Sequence, residues 1–108
     1  VEFASAYPRQ SCDFFAALFG WRGESFGPDY VAFHGAGLAG GFYRANLCST
    51  ASSGGPLIVF YSTDLDASLS LVTAHGNRIV KPVFAFPRSR RFHFTEPTGN
   101  EFAIWSES

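Results

Sequence analysis

The residues of this chain best suited to chemistry are two of its three histidines, His34 and His93, and two carboxylates, Glu2 and Glu101. Imidazole titrates near neutral pH, so a histidine beside a carboxylate can exchange a proton with a bound carbonyl compound. The same side chains could bind a divalent metal ion. Each histidine could instead be partly buried, or at a strand end, and hydrogen-bonded to a neighbour. We take His34, His93 and Glu2 as candidate catalytic residues and leave the three interpretations open.

A second group of candidates is aromatic. Tyrosine and tryptophan rings can stack on a planar ligand while the hydroxyl or indole N–H fixes its orientation. They could equally fill a cleft or a dimer interface. The run Arg88-Ser89-Arg90-Arg91 could bind an anionic ligand, although such a run is more typical of a solvated loop beside an apolar strand. The candidate ligand-binding residues are Tyr30, Tyr43, Tyr61, His93, Glu101 and Trp105.

The elements that position these residues follow one order twice, strand–helix–strand–strand–strand. Apolar periodicity, turn residues and an expected N-cap at Ser11 define the elements. The first half has strands at 1–5, 22–26, 30–34 and 38–44 and a helix at 11–19. The second half has strands at 57–62, 78–86, 90–95 and 101–105 and a helix at 64–75. A flexible connector is expected at 48–56. The prediction is one α+β domain over 1–108, with module one at 1–47 and module two at 57–108.

Composition limits the possible partners. The chain has 108 residues, of which 46% are hydrophobic, enough for one well-filled core. A net charge of -1 gives no electrostatic basis for binding nucleic acid. No apolar run reaches membrane-spanning length, so no membrane partner is expected. Cys12 and Cys48 lack metal or redox spacing, and we expect free thiols in a reducing cytoplasm.

Strand alternation predicts two different faces for the sheet, because successive side chains point to opposite sides. One set is almost purely apolar and should pack under the helices; it includes Val1, Phe3, Leu38, Phe42 and Phe102. The other set carries the candidate site residues and mixes aromatic rings with polar tips. Such an amphipathic face suits a ligand cleft with a few orienting polar groups.

Three segments give the chain a resemblance to a known family. They are the Phe14–Trp21 helix end (Phe-Phe-Ala-Ala-Leu-Phe-Gly-Trp), Thr63-Asp64-Leu65-Asp66-Ala67, and Glu96-Pro97-Thr98-Gly99-Asn100-Glu101. The chain resembles the vicinal oxygen chelate superfamily, which includes glyoxalase I, bleomycin- and fosfomycin-resistance proteins and extradiol dioxygenases. The resemblance implies paired βαβββ modules whose mixed sheet curls around a cleft, commonly in a homodimer. An amphipathic concave face left exposed by one copy also favours a dimer.

Metal-dependent members of that superfamily place His, Gln or Glu ligands on the first and last strands of each module. Carried over, the first position falls just before Val1 and the second at or near Gly41. The third falls near Leu57 and the fourth at Ala103. Three of these four positions hold groups that cannot bind a divalent ion, whereas a catalytic metal needs about three protein ligands. We therefore expect no metal ligands and no cofactor, with a divalent metal as the disfavoured alternative.

Two functions remain in play, beside the alternative of a degenerate or subunit-like module whose cleft is filled by its own side chains. The first is a metal-free protein of the glyoxalase and bleomycin-resistance type that binds a small, partly aromatic molecule in its cleft. The second is a lyase or isomerase of the same superfamily. It would act on a small carbonyl compound by His/Glu acid–base or metal chemistry.

Overall fold

The structure, a computed structural model, describes residues 1–76 and 78–107; Asn77 and Ser108 of the predicted second module lie outside the described residues. Module one contains β1 Glu2–Ser5, α1 Pro8–Phe19, β2 Arg22–Ser25, β3 Tyr30–His34 and β4 Gly40–Arg44. Module two contains β5 Ile58–Tyr61, α2 Leu65–His75, β6 Arg78–Phe86, β7 Ser89–Thr95 and β8 Glu101–Ser106. Among the described residues, no helix is long and apolar enough to cross a membrane.

Each module forms its own four-stranded mixed sheet. The strand order is β1-β4-β3-β2 in sheet one and β5-β8-β7-β6 in sheet two. The first strand of each module pairs in parallel with the last, β1 with β4 and β5 with β8, and the remaining pairs are antiparallel. The predicted α+β fold of two βαβββ modules is confirmed. The two sheets are not closed into a barrel.

The two modules enter their helices through the same hydroxyl turn. Ser5 Oγ lies 2.8 Å from Ser11 Oγ and accepts a hydrogen bond from the backbone N–H of Tyr7. In module two, Ser62 Oγ lies 2.7 Å from Ser68 Oγ and accepts from the N–H of Asp64. The spacing in sequence is identical, which identifies equivalent positions in the repeat.

This turn corrects the predicted start of α1. The helix begins at Pro8, three residues before the predicted N-cap Ser11, and Tyr7 occupies the N-cap position without a side-chain hydrogen bond. Proline suits the first helical position because its missing N–H would have no partner in the helix there. Ser11 is fully buried within the helix. In α2 the predicted cap is correct, since Asp64 accepts a hydrogen bond from the N–H of Ala67.

A single aromatic core lies between the helices and both sheets. Phe15 of α1 stacks on Trp21 and contacts Phe42 of sheet one and Phe60 and Phe102 of sheet two. The predicted apolar set therefore packs inward, with two exceptions. Val1 and Leu38 are 50% and 58% exposed, because Val1 precedes β1 and Leu38 precedes β4, which starts at Gly40.

The connector between the modules, which the sequence predicts to be flexible, is hydrogen-bonded to Asn100 and to Glu101 at the start of β8. Ser49 N–H donates to the side-chain oxygen of Asn100, and Ser49 O accepts from the N–H of Glu101. Ala51 N–H donates to Glu101 Oε1 at 3.0 Å, at the start of a short 3₁₀ turn, Ala51–Ser53. These contacts could not be read from the local sequence, because residues far along the chain supply the partners.

Candidate functional site

The candidate site residues lie on the faces of the two sheets that point away from the helices. We call these the outer faces, because the alternate residues, such as Phe42 and Phe102, point into the core. The outer face of sheet one carries Glu2, Tyr30, His34 and Tyr43. The outer face of sheet two carries Tyr61, His93, Glu101 and Trp105.

On sheet one, Tyr30 and Glu2 meet across Gly41. The Tyr30 hydroxyl donates a hydrogen bond of 2.9 Å to Glu2 Oε2, which raises the pKa of Tyr30, so the phenol stays protonated at neutral pH. Gly41 is the register partner of Glu2, and a Cβ placed there would collide with the Tyr30 hydroxyl. The tyrosine therefore occupies the space above Gly41 that a side chain would need.

His34 lies at the end of β3, near an open depression of about 500 Å³ that Tyr30 and Leu38 also line. Its Nε2 is 2.9 Å from Glu24 Oε1 on the neighbouring strand, and both side chains are about half exposed. This pair is accessible to solvent. Tyr43, 40% exposed, lines a separate groove of about 360 Å³ along β1 and the connector.

On sheet two, one cross-strand row runs through all four strands. Tyr61 pairs with Trp105, Trp105 with Arg91, and Arg91 with Phe84. The Tyr61 and Trp105 rings meet edge to face, with centroids 4.9 Å apart. Tyr61 is 48% exposed, so the aromatic end of this row is open to solvent.

His93 lies one row further along the same face and is held by Arg91. Arginine can only donate, so the contacts of 3.1 Å from Arg91 Nε and 3.0 Å from Nη2 make His93 Nε2 an acceptor. The ring proton of the neutral imidazole is therefore on Nδ1, which lies 3.6 Å from Glu101 Oε2, too far for a good hydrogen bond. Burial lowers the pKa of His93, and the charges of Arg91 and Lys81 lower it further, against the opposing carboxylate of Glu101. The histidine is neutral and almost fully buried, although it lies on the outer face.

Glu101 is almost fully buried, and its two oxygens face protein groups. Oε1 accepts from Ala51 N–H, and Oε2 faces His93. The structure thus brings His93 together with Glu101, Tyr30 with Glu2, and Tyr61 with Trp105. It places His34 on a different sheet from His93.

The sequence suggested that His34 and His93 hold matching places, and the strand register shows otherwise. The repeated serine turn and the parallel pairs Glu2–Gly41 and Val59–Ala103 make Gly41 equivalent to Ala103. Gly41 pairs with Ala32, whereas Ala103 pairs with His93. The counterpart of His93 is therefore Ala32, and His34 matches Thr95, two residues further along the strand.

Of the four positions at which the resemblance places a metal ligand, the first falls before Val1, and the residues at the other three do not fit a metal ion. Gly41 and Ala103 offer no donor atom, and the strand register places Val59 beside Ala103. Glu2, the register partner of Gly41, has a carboxylate that could ligate an ion, and it already accepts a hydrogen bond from the Tyr30 hydroxyl. Within residues 1–76 and 78–107, no group of three or more His, Cys, Asp or Glu side chains is arranged to hold a metal ion.

The sequence did not indicate Phe84 as a site residue, and it favoured a solvated loop over an anion site for the arginine run. Arg91 and His93 are two apart on a strand, so they share a face, and this spacing was the available signal. Phe84 carried no such signal, because register shifts in β6, between Ile79 and Lys81 and between Lys81 and Phe84, decide which of its residues meet Arg91.

No protein-family model matches the chain, and no curated protein sequence matches it. Several solved structures do match, all at low sequence identity. A glyoxalase/bleomycin resistance protein/dioxygenase family enzyme from Burkholderia phytofirmans PsJN superposes with a TM-score of 0.80 at 14% identity, covering 100% of this chain and 96% of that one. The fosfomycin resistance protein FosX from Listeria monocytogenes gives 0.80 at 15% identity, with 100% and 90% covered. TioX from Micromonospora sp. ML1 gives 0.73 at 21% identity, with 100% and 96% covered. The chain has the glyoxalase/bleomycin-resistance/dioxygenase fold, the fold of the vicinal oxygen chelate superfamily.

Proposed function

We propose that the protein binds a small, partly aromatic molecule without using a catalytic metal ion. The observation that carries this proposal is the row on sheet two, where the exposed Tyr61 ring meets Trp105 beside Arg91. Aromatic rings backed by a few polar groups are typical of a small-molecule site. The structural neighbours support the class, since one is described as a fosfomycin resistance protein and another as a glyoxalase/bleomycin resistance protein/dioxygenase family enzyme.

The surroundings of His93 favour binding over catalysis. A general base needs a free lone pair within reach of the substrate. The Nε2 lone pair of His93 already accepts from Arg91, and Nδ1 faces Glu101 inside the protein. His93 and Glu101 then act by supporting the face on which the ligand lies. The absence of metal-binding side chains at Gly41 and Ala103 supports a metal-free site.

We further propose that two copies associate through their outer faces. Apolar and aromatic side chains on these faces remain open in one copy, including Tyr43, Val59 and Tyr61 at 40%, 39% and 48% exposure. A second copy would cover this area and turn the open faces into a cleft. Light scattering should report a dimer, and a monomer across the working concentration range would contradict it.

The free thiols of Cys12 and Cys48 support a reducing, cytoplasmic location.

The binding proposal is tested with a ligand screen and two tyrosine variants. Thermal-shift screening against aromatic antibiotics and glutathione conjugates should give hits that calorimetry confirms. Tyr61→Ala should weaken binding of a hit by up to about tenfold, because the ring contact is lost. Tyr7→Ala, which removes a tyrosine before α1 that is even more exposed than Tyr61, should leave binding unchanged. Equal weakening by both variants would contradict a site on sheet two.

A second candidate function is a lyase or isomerase acting on a small carbonyl compound. The observation that favours it is the Tyr30–Glu2 pair. The carboxylate of Glu2 is exposed and accepts a hydrogen bond of 2.9 Å from the Tyr30 hydroxyl. Glu2 could then take the substrate proton, with His34 nearby on the same sheet. Glu2→Gln should abolish turnover of such a substrate while Tyr61→Ala reduces only its binding. Unchanged turnover in Glu2→Gln would exclude this pair.

A further inference from the structure

Arg91 has no acidic partner in the described part of the chain, whereas three other arginines do. Arg9, Arg44 and Arg90 form ion pairs with Asp13, Asp29 and Asp66. The guanidinium of Arg91 is half-buried and, within residues 1–76 and 78–107, forms no ion pair with a carboxylate. Its protein hydrogen bonds go to the neutral ring of His93, which does not cancel its charge. A half-buried cation without a counter-ion favours an anion from outside the chain.

The geometry around Arg91 leaves part of its fork available. Nε and Nη2 donate to His93, and the N–H groups of Nη1 have no acceptor in the described part of the chain. The guanidinium carbon lies 5.3 Å from the Phe86 ring centre and 6.0 Å from that of Phe84. Stacking on these rings restrains the guanidinium and lowers the entropy lost when an anion binds.

Resting on the proposed function, we infer that Arg91 binds the carboxylate of an aromatic acid whose ring lies on Trp105 and Tyr61. Trp105 is the cross-strand partner of Arg91, so the two side chains start from Cβ atoms about 5 Å apart on one face. A carboxylate matches the planar guanidinium fork, and the flanking aromatic rings favour a planar apolar body. Lys81, the cross-strand partner of His93, adds a second positive charge on the same face. The ligand class is therefore an aromatic carboxylic acid rather than a neutral or cationic aromatic compound.

The test compares two probes of the same shape, 1-naphthoate and its neutral amide, 1-naphthamide, by calorimetry on the full chain. The wild-type protein should bind the carboxylate about tenfold more tightly than the amide. Arg91→Gln should remove this preference, so that the variant binds 1-naphthoate as weakly as it binds 1-naphthamide. Arg90→Gln is the matched control, since it removes the same charge from the opposite face of β7, and it should keep the preference.

Arg91→Lys guards against a folding defect in Arg91→Gln, because it keeps the charge but lacks the planar fork. This variant should fold, and its preference for the carboxylate over the amide should be several-fold smaller than that of the wild-type protein. Circular dichroism checks the fold of each variant. A preference that persists in Arg91→Gln, or is complete in Arg91→Lys, would overturn the assignment of Arg91 while leaving the proposed function intact. Failure of both probes to bind the wild-type protein would overturn this inference and the proposed aromatic site together.

Discussion

The two modules share their scaffold and differ on their outer faces. Both enter the helix through a pair of hydrogen-bonded serines, Ser5 with Ser11 and Ser62 with Ser68. Where sheet one has Ala32 opposite Gly41, sheet two has His93 opposite Ala103. The repeat therefore preserves the geometry of the backbone, while the side chains at equivalent positions of the two outer faces differ.

A second difference concerns how each serine pair is used. The Thr98 hydroxyl is hydrogen-bonded to the first pair, and its Oγ1 lies 3.0 Å from Ser11 Oγ. The same hydroxyl donates a hydrogen bond to the fully buried Glu96. This network connects the β7–β8 turn of module two to the α1 entry of module one. The second pair is less buried, and Ala36 stands where the repeat would place a counterpart of Thr98. The modules are thus held together asymmetrically.

The largest test of this asymmetry compares the two helices. Phe15 and Val72 are both buried and occupy equivalent helix positions, yet Phe15 contacts rings of both sheets. Phe15→Ala should lower the free energy of unfolding by about 3–5 kcal/mol. Val72→Ala should cost less, within about 1.5–3 kcal/mol. Urea denaturation measures both, and equal losses would show that α1 is not the main bridge between the modules.

The next test compares the two inter-strand turns. Asn100 is buried and makes two hydrogen bonds of 2.7 Å, to the Ser49 N–H and the Ala4 carbonyl. Asn100→Ala leaves both groups unsatisfied and should cost about 2–4 kcal/mol. Leu38, its counterpart in module one, is 58% exposed, so Leu38→Ala should change stability by no more than about 0.5 kcal/mol. A small effect of Asn100→Ala would mean that the turn does not hold the modules together.

A smaller difference is expected between the two turn serines. Ser5 is fully buried and bonds Ser11, Thr98 and the Tyr7 N–H, so Ser5→Ala should cost about 1–3 kcal/mol. Ser62→Ala should cost about 0.5–1 kcal/mol, because water can replace its less buried contacts. Thermal denaturation of the matched pair measures the difference. A larger loss for Ser62 would reverse the proposed asymmetry.

The smallest expected effect is a dependence of stability on pH. Because the folded pKa of His93 is lowered, the unfolded chain binds the proton more readily. The contribution of His93 is therefore complete above its unfolded pKa of about 6.5 and is lost as the pH falls below that value. His93→Gln should reduce the difference in melting temperature between pH 8 and pH 5. An unchanged difference in His93→Gln would argue against a buried neutral imidazole.

The sequence was sufficient for the fold and insufficient for the site. Alternation of apolar residues and the turn at Gly99 predicted every strand to within about two residues. The start of α1 was missed because Ser11 resembles an N-cap, whereas its hydroxyl is used inside the protein by residues distant in sequence. The counterpart of His93 was also missed, because the register of β3 and β7 depends on loop geometry rather than on residue type. The contacts of Arg91 required that register to be known.

The tyrosine above Gly41 also limits how this chain could change. A side chain at position 41 would meet not only the Tyr30 hydroxyl but also the backbone oxygen of Val31, which lies 2.8 Å from the point that a Cβ would occupy and cannot move aside cheaply. Introducing a carboxylate there would displace the phenol and leave Glu2 without its donor. A side chain at position 41 would therefore require a second change that moves Tyr30, and a variant substituted at Gly41 alone should be less stable than the starting protein.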